Sequence, residues 1–229
     1  LENLRFHPEE EQNDVEFAGS LASLAEVFVN DGFAVAHRAH ASTEGVGHYL
    51  PSVAGLLMEK ELRILGSLLM SPPRPLIVAL GGAKVSDKIG VLEHFLDKVD
   101  TLLIGGGMAA TFLKARGLSV GNSLVEDNRL DVAHNIMSHA HAKGIPFLIP
   151  LDVVIADAFE PDAKSRTVDV EDVPDGWYIM DIGHRTLDTF RAKASQGKTI
   201  LWNGPMGVFE FPAFSRGTRE LAAALGSLS

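Results

Sequence analysis

The chain of 229 residues is 46% apolar, with 22 glycines and no cysteine, which suits a globular protein with a sizeable core and excludes disulfides and thiolate metal sites. Its 20 basic and 30 acidic side chains leave a formal charge of −10, which argues against nucleic acid or an anionic membrane as a general partner. No apolar run reaches the ~18–20 residues of a membrane span, and no signal peptide is visible.

This length suggests one or two domains. From about Asp14 to Ala25 the pattern predicts a helix, and "VFVND" a short strand. A loop rich in small and polar residues, "GFAVAHRAHASTEGVG", follows. Between Ser52 and Met70 the apolar period, with Leu56, Leu57, Leu62, Leu65 and Leu69 on related faces, predicts one long helix. "SPPRP" stops it, because proline cannot continue a helix. Beyond that break "LIVAL" reads as a strand and leads to a helix through Lys98; "TLLIGGG" leads to another from about Met108. A helix from Asn128 to Lys143, the strand-like "IPFLIPLDVVIADAF", a strand in "KTILWNG" and a helix from Phe214 to Leu225 complete the pattern. Such alternation predicts an α/β fold with a parallel sheet covered on both faces. It places a domain at 1–71, including the long helix, and another at 72–229.

Glycines cluster after three of these strands, in "GGAK", "GGGM" and "NGPMG". In an open parallel sheet ligands sit beyond the carboxyl ends of the strands, and glycine there lets backbone approach a ligand, with N–H groups expected to be free for an anion. Neither a Walker P-loop nor a dinucleotide fingerprint is present. Lys84 and Lys88 stand four residues apart in "LGGAKVSDKIGVLEHF". On a helix beginning near Val85 they would share one face, repel by a few tenths of a kcal/mol, and oppose the macrodipole. That placement makes sense if an anion lies between them.

Against the acidic background, Arg5 in "NLRFH" and Arg38 in "AHRAHAST" stand out, since a guanidinium grips phosphate or carboxylate bidentately. His37 and His40 flank Arg38 as further donors or as partly buried structural residues. His134, His139 and His141 read as a solvated helix face with no completed metal spacing, and Glu9–Glu11 as a solvated turn. Ser42 lacks the context of a hydrolase nucleophile.

Taken together and in order, "ENLRFHPEEE", "AHRAHASTEG", "PSVAGLLMEKEL", "LGGAKVSDKIGV", "LLIGGGMAATFLK" and "WNGPMGVFE" resemble the phosphoglycerate kinase family over essentially the whole chain. The resemblance implies two Rossmann-like domains with parallel sheets, both incomplete here, facing across a cleft. It implies reversible phosphoryl transfer between 1,3-bisphosphoglycerate and magnesium-bound ADP, giving 3-phosphoglycerate and ATP. Arg5 and Arg38 would then grip the non-transferring phosphate, Lys84 would steady the transferring group, and Lys88 would hold nucleotide phosphates. Gly82, Gly106 and Gly107 would wall the adenosine pocket, with Asn203, Pro205, Val208 and Glu210, the last accepting from the ribose hydroxyls. Cleft closure would exclude water, with the Ser52–Met70 helix as the hinge element. A glycolytic, cytoplasmic monomer is implied, with Mg²⁺ arriving on the nucleotide and no metal ligand of its own in this chain.

The first residue is Leu1 rather than Met, so a piece of a longer polypeptide is expected. By the resemblance an Asp, an Asn and an Arg would precede it, and a GGGD-Ser/Thr turn carrying the magnesium-associated Asp would follow. As it stands the chain is expected to be inactive alone. Ile179 and His184 replace a usual glycine and proline, and Gly32, Ala34 and Val35 depart from the usual small residues. These departures sustain an alternative, a kinase-derived module that binds nucleotide or protein without turnover. A different acyl-phosphate kinase on a similar sheet is a more distant alternative.

Overall fold

The computed structural model describes residues 2–228, so Leu1 and Ser229, the outer bounds of the expected domains, lie outside the described residues. The chain divides into two compact units, Leu1–Pro72 and Pro73–Ser229.

In the first unit a 3-10 turn, Leu4–Phe6, leads to the single-turn helix α1 (Pro8–Glu11). Helix α2 (Val15–Ala22) starts where Asp14 Oδ1 accepts from Phe17 N at 2.8 Å, a local cap. Strand β1 (Phe28–Asn30) pairs in parallel with β2 (Ser52–Ala54), Phe28 opposite Ser52. The long helix predicted from Ser52 is therefore shorter: its first residues are strand, and helix α3 runs Leu56–Met70. Its start is set from far away in sequence. Asp31 Oδ1 accepts from Leu57 N at 2.7 Å and from Met58 N at 2.9 Å, satisfying donors that Gly55, at the N-cap, has no side chain to meet.

The second unit runs β3 (Leu76–Leu80), α4 (Ile89–Leu96), β4 (Thr101–Ile104), α5 (Met108–Ala115), α6 (Leu130–Ala142) and β5 (Phe147–Leu148). It continues through β6 (Asp152–Ala156), β7 (Ser165–Asp169), β8 (Tyr178–Ile182), α7 (His184–Ala194), β9 (Thr199–Asn203) and α8 (Arg216–Gly226). Among the described residues β5-β4-β3-β9 form a parallel sheet. Successive side chains of a strand point to opposite faces. Accordingly Leu76, Val78 and Leu80 pack with Leu92 of α4, Phe112 of α5 and Ile136 of α6. Ile77 and Ala79 pack on the other face with Leu187 and Phe190 of α7 and Leu221 of α8. The sheet is thus covered on both faces, as its unbroken apolar strands predict.

A second sheet, β7-β6-β8, is antiparallel throughout and adds to the parallel architecture expected. The apolar run "IPFLIPLDVVIADAF" splits at Pro150, so that β5 joins one sheet and β6 the other. Among the described residues no helix is long and apolar enough to cross a membrane.

Candidate functional site

Leu80 lies opposite both Ile104 and Asn203, so β3, β4 and β9 end level. The three glycine turns that follow them meet there, and four of their N–H groups are taken up by neighbouring backbone carbonyls. Gly81 N donates to Asn203 O, Gly82 N to Pro205 O, Gly105 N to Leu80 O and Gly106 N to Met206 O, all at 2.8–3.0 Å. The expectation of free N–H groups for an anion is therefore overturned at Gly81, Gly82, Gly105 and Gly106. They are glycines because the turns interlock backbone to backbone: a Cβ on Gly106, at φ 66°, would fall 2.6 Å from Gly82 N and 2.7 Å from Pro205 O.

Beyond this knot opens a cavity of about 600 Å³. Gly82, Gly106, Gly107, Pro205, Val208 and Glu210 line it, whereas Asn203 does not. Sequence reasoning missed much of the opposite wall, including Ser123, Leu124, Phe159, Tyr178, Asp181 and Phe211. Phe159 packs against Tyr178 and Phe211 with ring centroids 6.3 and 5.5 Å apart. Ile179 does project onto the cavity, and its N–H donates to Ser123 Oγ at 2.8 Å. A concave, mainly apolar chamber with few polar groups suits a flat heteroaromatic ring.

The lysine pair is arranged differently from the predicted helix face. Helix α4 begins only at Ile89; Lys88 is its N-cap residue and Lys84 stands just before the turn that leads into it. The i,i+4 geometry therefore does not apply, because Val85 to Lys88 form a separate turn closed by Lys88 N donating to Val85 O at 2.8 Å. Lys88 Nζ donates to Asn203 Oδ1 at 2.6 Å, which brings together two residues singled out from distant motifs. Lys84 is exposed and, among the described residues, forms no ion pair within 4.0 Å.

In the first unit Arg38 is likewise exposed, while Arg5 Nε makes one exposed ion pair, 3.6 Å from Glu11. The segments carrying them are tied by Glu10, which is buried rather than part of a solvated acidic turn. Its carboxylate accepts from Ser42 N at 3.0 Å and Ser42 Oγ at 2.5 Å, and its carbonyl from Ala41 N at 2.9 Å. His40 Nδ1 stands 3.8 Å from the same carboxylate, and Thr43 Oγ1 donates to the Arg38 carbonyl at 2.6 Å. Of the two histidines beside Arg38, His37 is exposed and His40 faces inward. His134, His139 and His141 sit on the exposed face of α6.

The phosphoglycerate kinase family model matches residues 1–229. The chain belongs to the phosphoglycerate kinase family. It is 57% identical over 225 residues to the phosphoglycerate kinase of Chloroflexus aurantiacus, covering 98% of this chain and 56% of that protein. It is 58% identical over 230 residues to that of Prochlorococcus marinus, covering 100% and 57%. The solved phosphoglycerate kinase from Coxiella burnetii superposes with a TM-score of 0.85 at 45% identity, over 98% of this chain and 58% of that one. The enzyme from Pyrococcus horikoshii does so at 0.80 and 30%, over 97% and 58%. The chain thus spans a little over half the length of these family members.

Proposed function

We propose that this chain is the central part of a phosphoglycerate kinase that interconverts 1,3-bisphosphoglycerate and ADP with 3-phosphoglycerate and ATP. The observation that carries this reading is the apolar cavity at the carboxyl ends of β3, β4 and β9, with the Lys88–Asn203 pair close beside it in sequence and sheet register. The nucleotide base enters the cavity, against Gly82, Gly106, Gly107, Pro205 and Val208, and Glu210 accepts from the ribose. Lys88, held by Asn203, meets the phosphates, and Lys84 steadies the group in transfer. In the first unit Arg5 and Arg38 take the phosphate that is not transferred. Phosphoryl transfer requires little covalent work from protein; it requires in-line positioning and cations around the equatorial oxygens. No general base is required, since the acceptor oxygens are already anionic.

Magnesium belongs to the nucleotide substrate in this scheme. Among the described residues no group of three or more His, Asp or Glu side chains could hold a metal ion, so no step is assigned to a metal fixed by this chain. In the full-length protein, Lys88→Ala is expected to weaken ATP binding about tenfold with 3-phosphoglycerate affinity unchanged. Calorimetry that records equal losses for both ligands would overturn the division of labour.

A further inference from the structure

The turn between the two lysines already meets an anion, and it is internal. Glu126 Oε2 accepts from Ser86 N at 3.0 Å, and Ser86 Oγ and Val85 N lie near enough to the same carboxylate to favour its charged form. Burial pushes this carboxyl up, but those donors and the charge of Lys84 outweigh it and leave it below the usual carboxylate range. The backbone around Glu126 is fixed as well: its own N–H donates to Thr111 Oγ1 on α5 at 3.2 Å. The residues just before it, Asn122 to Leu124, wall the cavity, and they are pinned to β8 and its approach. Asn122 N donates to Trp177 O at 2.8 Å, and Ser123 Oγ accepts from Ile179 N.

We propose that Glu126 is a positioning residue that locks the turn between the two lysines to the cavity wall, so that a base seated in the cavity finds Lys84 and Lys88 already aimed at its phosphates. The inference rests on the nucleotide reading of the cavity and adds to it a residue that touches neither base nor phosphate. Two physical features favour a clamp. A carboxylate accepting from a backbone N–H, as Glu126 does from Ser86, holds that turn more firmly than a neutral acceptor would. It also carries a charge opposite to that of Lys84 without closing on it as an ion pair within 4.0 Å, which leaves the ammonium available to a phosphate.

The distinguishing measurement compares two ligands that differ only in the phosphate tail. Adenosine and ATP are titrated calorimetrically into the full-length protein and its Glu126→Ala and Glu126→Gln variants. Glu126→Ala is expected to weaken ATP about tenfold while adenosine changes less than about twofold, because only the tail depends on the aim of the lysines. Glu126→Gln, isosteric but uncharged, is expected to fall between wild type and Glu126→Ala, and carries the test alone should the alanine variant fail to fold. Parallel losses for adenosine and ATP would reduce Glu126 to general stability and overturn the inference, as would no loss for either. Tighter ATP binding would overturn it too, by making Glu126 an occupant of the phosphate position. Wild-type protein that binds neither ligand would instead sink the nucleotide reading itself.

Discussion

Among the described residues of the first unit the buried apolar side chains are Ala18, Ala22, Ala41, Val46 and Met58. The second unit buries whole strands, Leu76–Leu80 and Leu102–Ile104, between helices on both faces. The two units also differ in how they fix the residues proposed to bind ligands. Arg38 depends on polar bonds, those of Thr43 to its carbonyl and of Glu10 to Ser42. The glycine turns of the second unit depend on backbone hydrogen bonds between turns, seated on a close-packed core. Side-chain hydrogen bonds of this kind are each worth about 1 kcal/mol net. An interlocked backbone over a dense core cannot yield locally, so small additions there are felt at once.

The sharpest way to break this contrast is Gly106→Ala. The new methyl would meet two backbone atoms, Gly82 N and Pro205 O, and the residue would stay at positive φ. Strain and overlap together are expected to cost about 4 kcal/mol. Denaturant unfolding that shows a loss below about 1 kcal/mol would mean that the turns are not interlocked.

What was legible in the sequence divides along similar lines. β3 and β4 could be read because strands buried on both faces show unbroken apolar runs, and the helices between them because 3.6-residue periods survive in α4 and α5. β7, "SRTVD", was not legible: an edge strand with mostly exposed residues carries no alternation to detect. α7 does carry a signal, since Leu187, Phe190 and Ala194, all buried, recur at helical spacing. The start of α3 was misplaced because its cap, Asp31, lies 26 residues before Leu57. For the candidate site, the glycines and Lys88 were findable from local motifs, but the reason for the glycines was not. Free N–H groups and interlocked turns demand the same residue type. Glu10 and Glu126 were invisible as positioning groups because Ser42 and Ser86 lie 32 and 40 residues from them.

A second test sharpens the comparison inside the second unit, where one buried carboxylate departs from the rest. Asp181 accepts from Gly217 N at 2.7 Å and Ile182 N at 2.8 Å, and so caps α8 from β8. Burial pushes its pKa up to about 6, against the pull of those two N–H groups and of Arg216, whose guanidinium is engaged by Glu220 at 2.6 Å. Asp152 caps α7 in the same way yet sits below the usual carboxylate range. Burial raises it too, but both N–H and Oγ of Thr186, Arg185 N and the nearby His184 outweigh that. Because the folded pKa of Asp181 lies above the unfolded value, the folded state binds the extra proton, and stability falls as pH rises from about 4 to 6. Asp181→Asn removes that titration, so from pH 4.5 to pH 7 the wild type should lose about 2 kcal/mol relative to the variant. A gap between the two that stays constant with pH would mean that the carboxyl is not held in its protonated form.

The smallest effect is expected in the first unit, and it separates stability from aim. Glu10→Gln keeps the shape and one acceptor oxygen but replaces a charged acceptor of two Ser42 donors by an amide, whose nitrogen cannot accept. The loss of stability should be about 1 kcal/mol. The functional loss should be selective, because Ser42 and Thr43 close the loop that carries Arg38. In the full-length protein 3-phosphoglycerate is expected to bind about fivefold more weakly while ATP binds as before. Should Glu10→Gln cost as much stability as Gly106→Ala, the first unit would be as unyielding as the second, and polar latches would not be what distinguishes it.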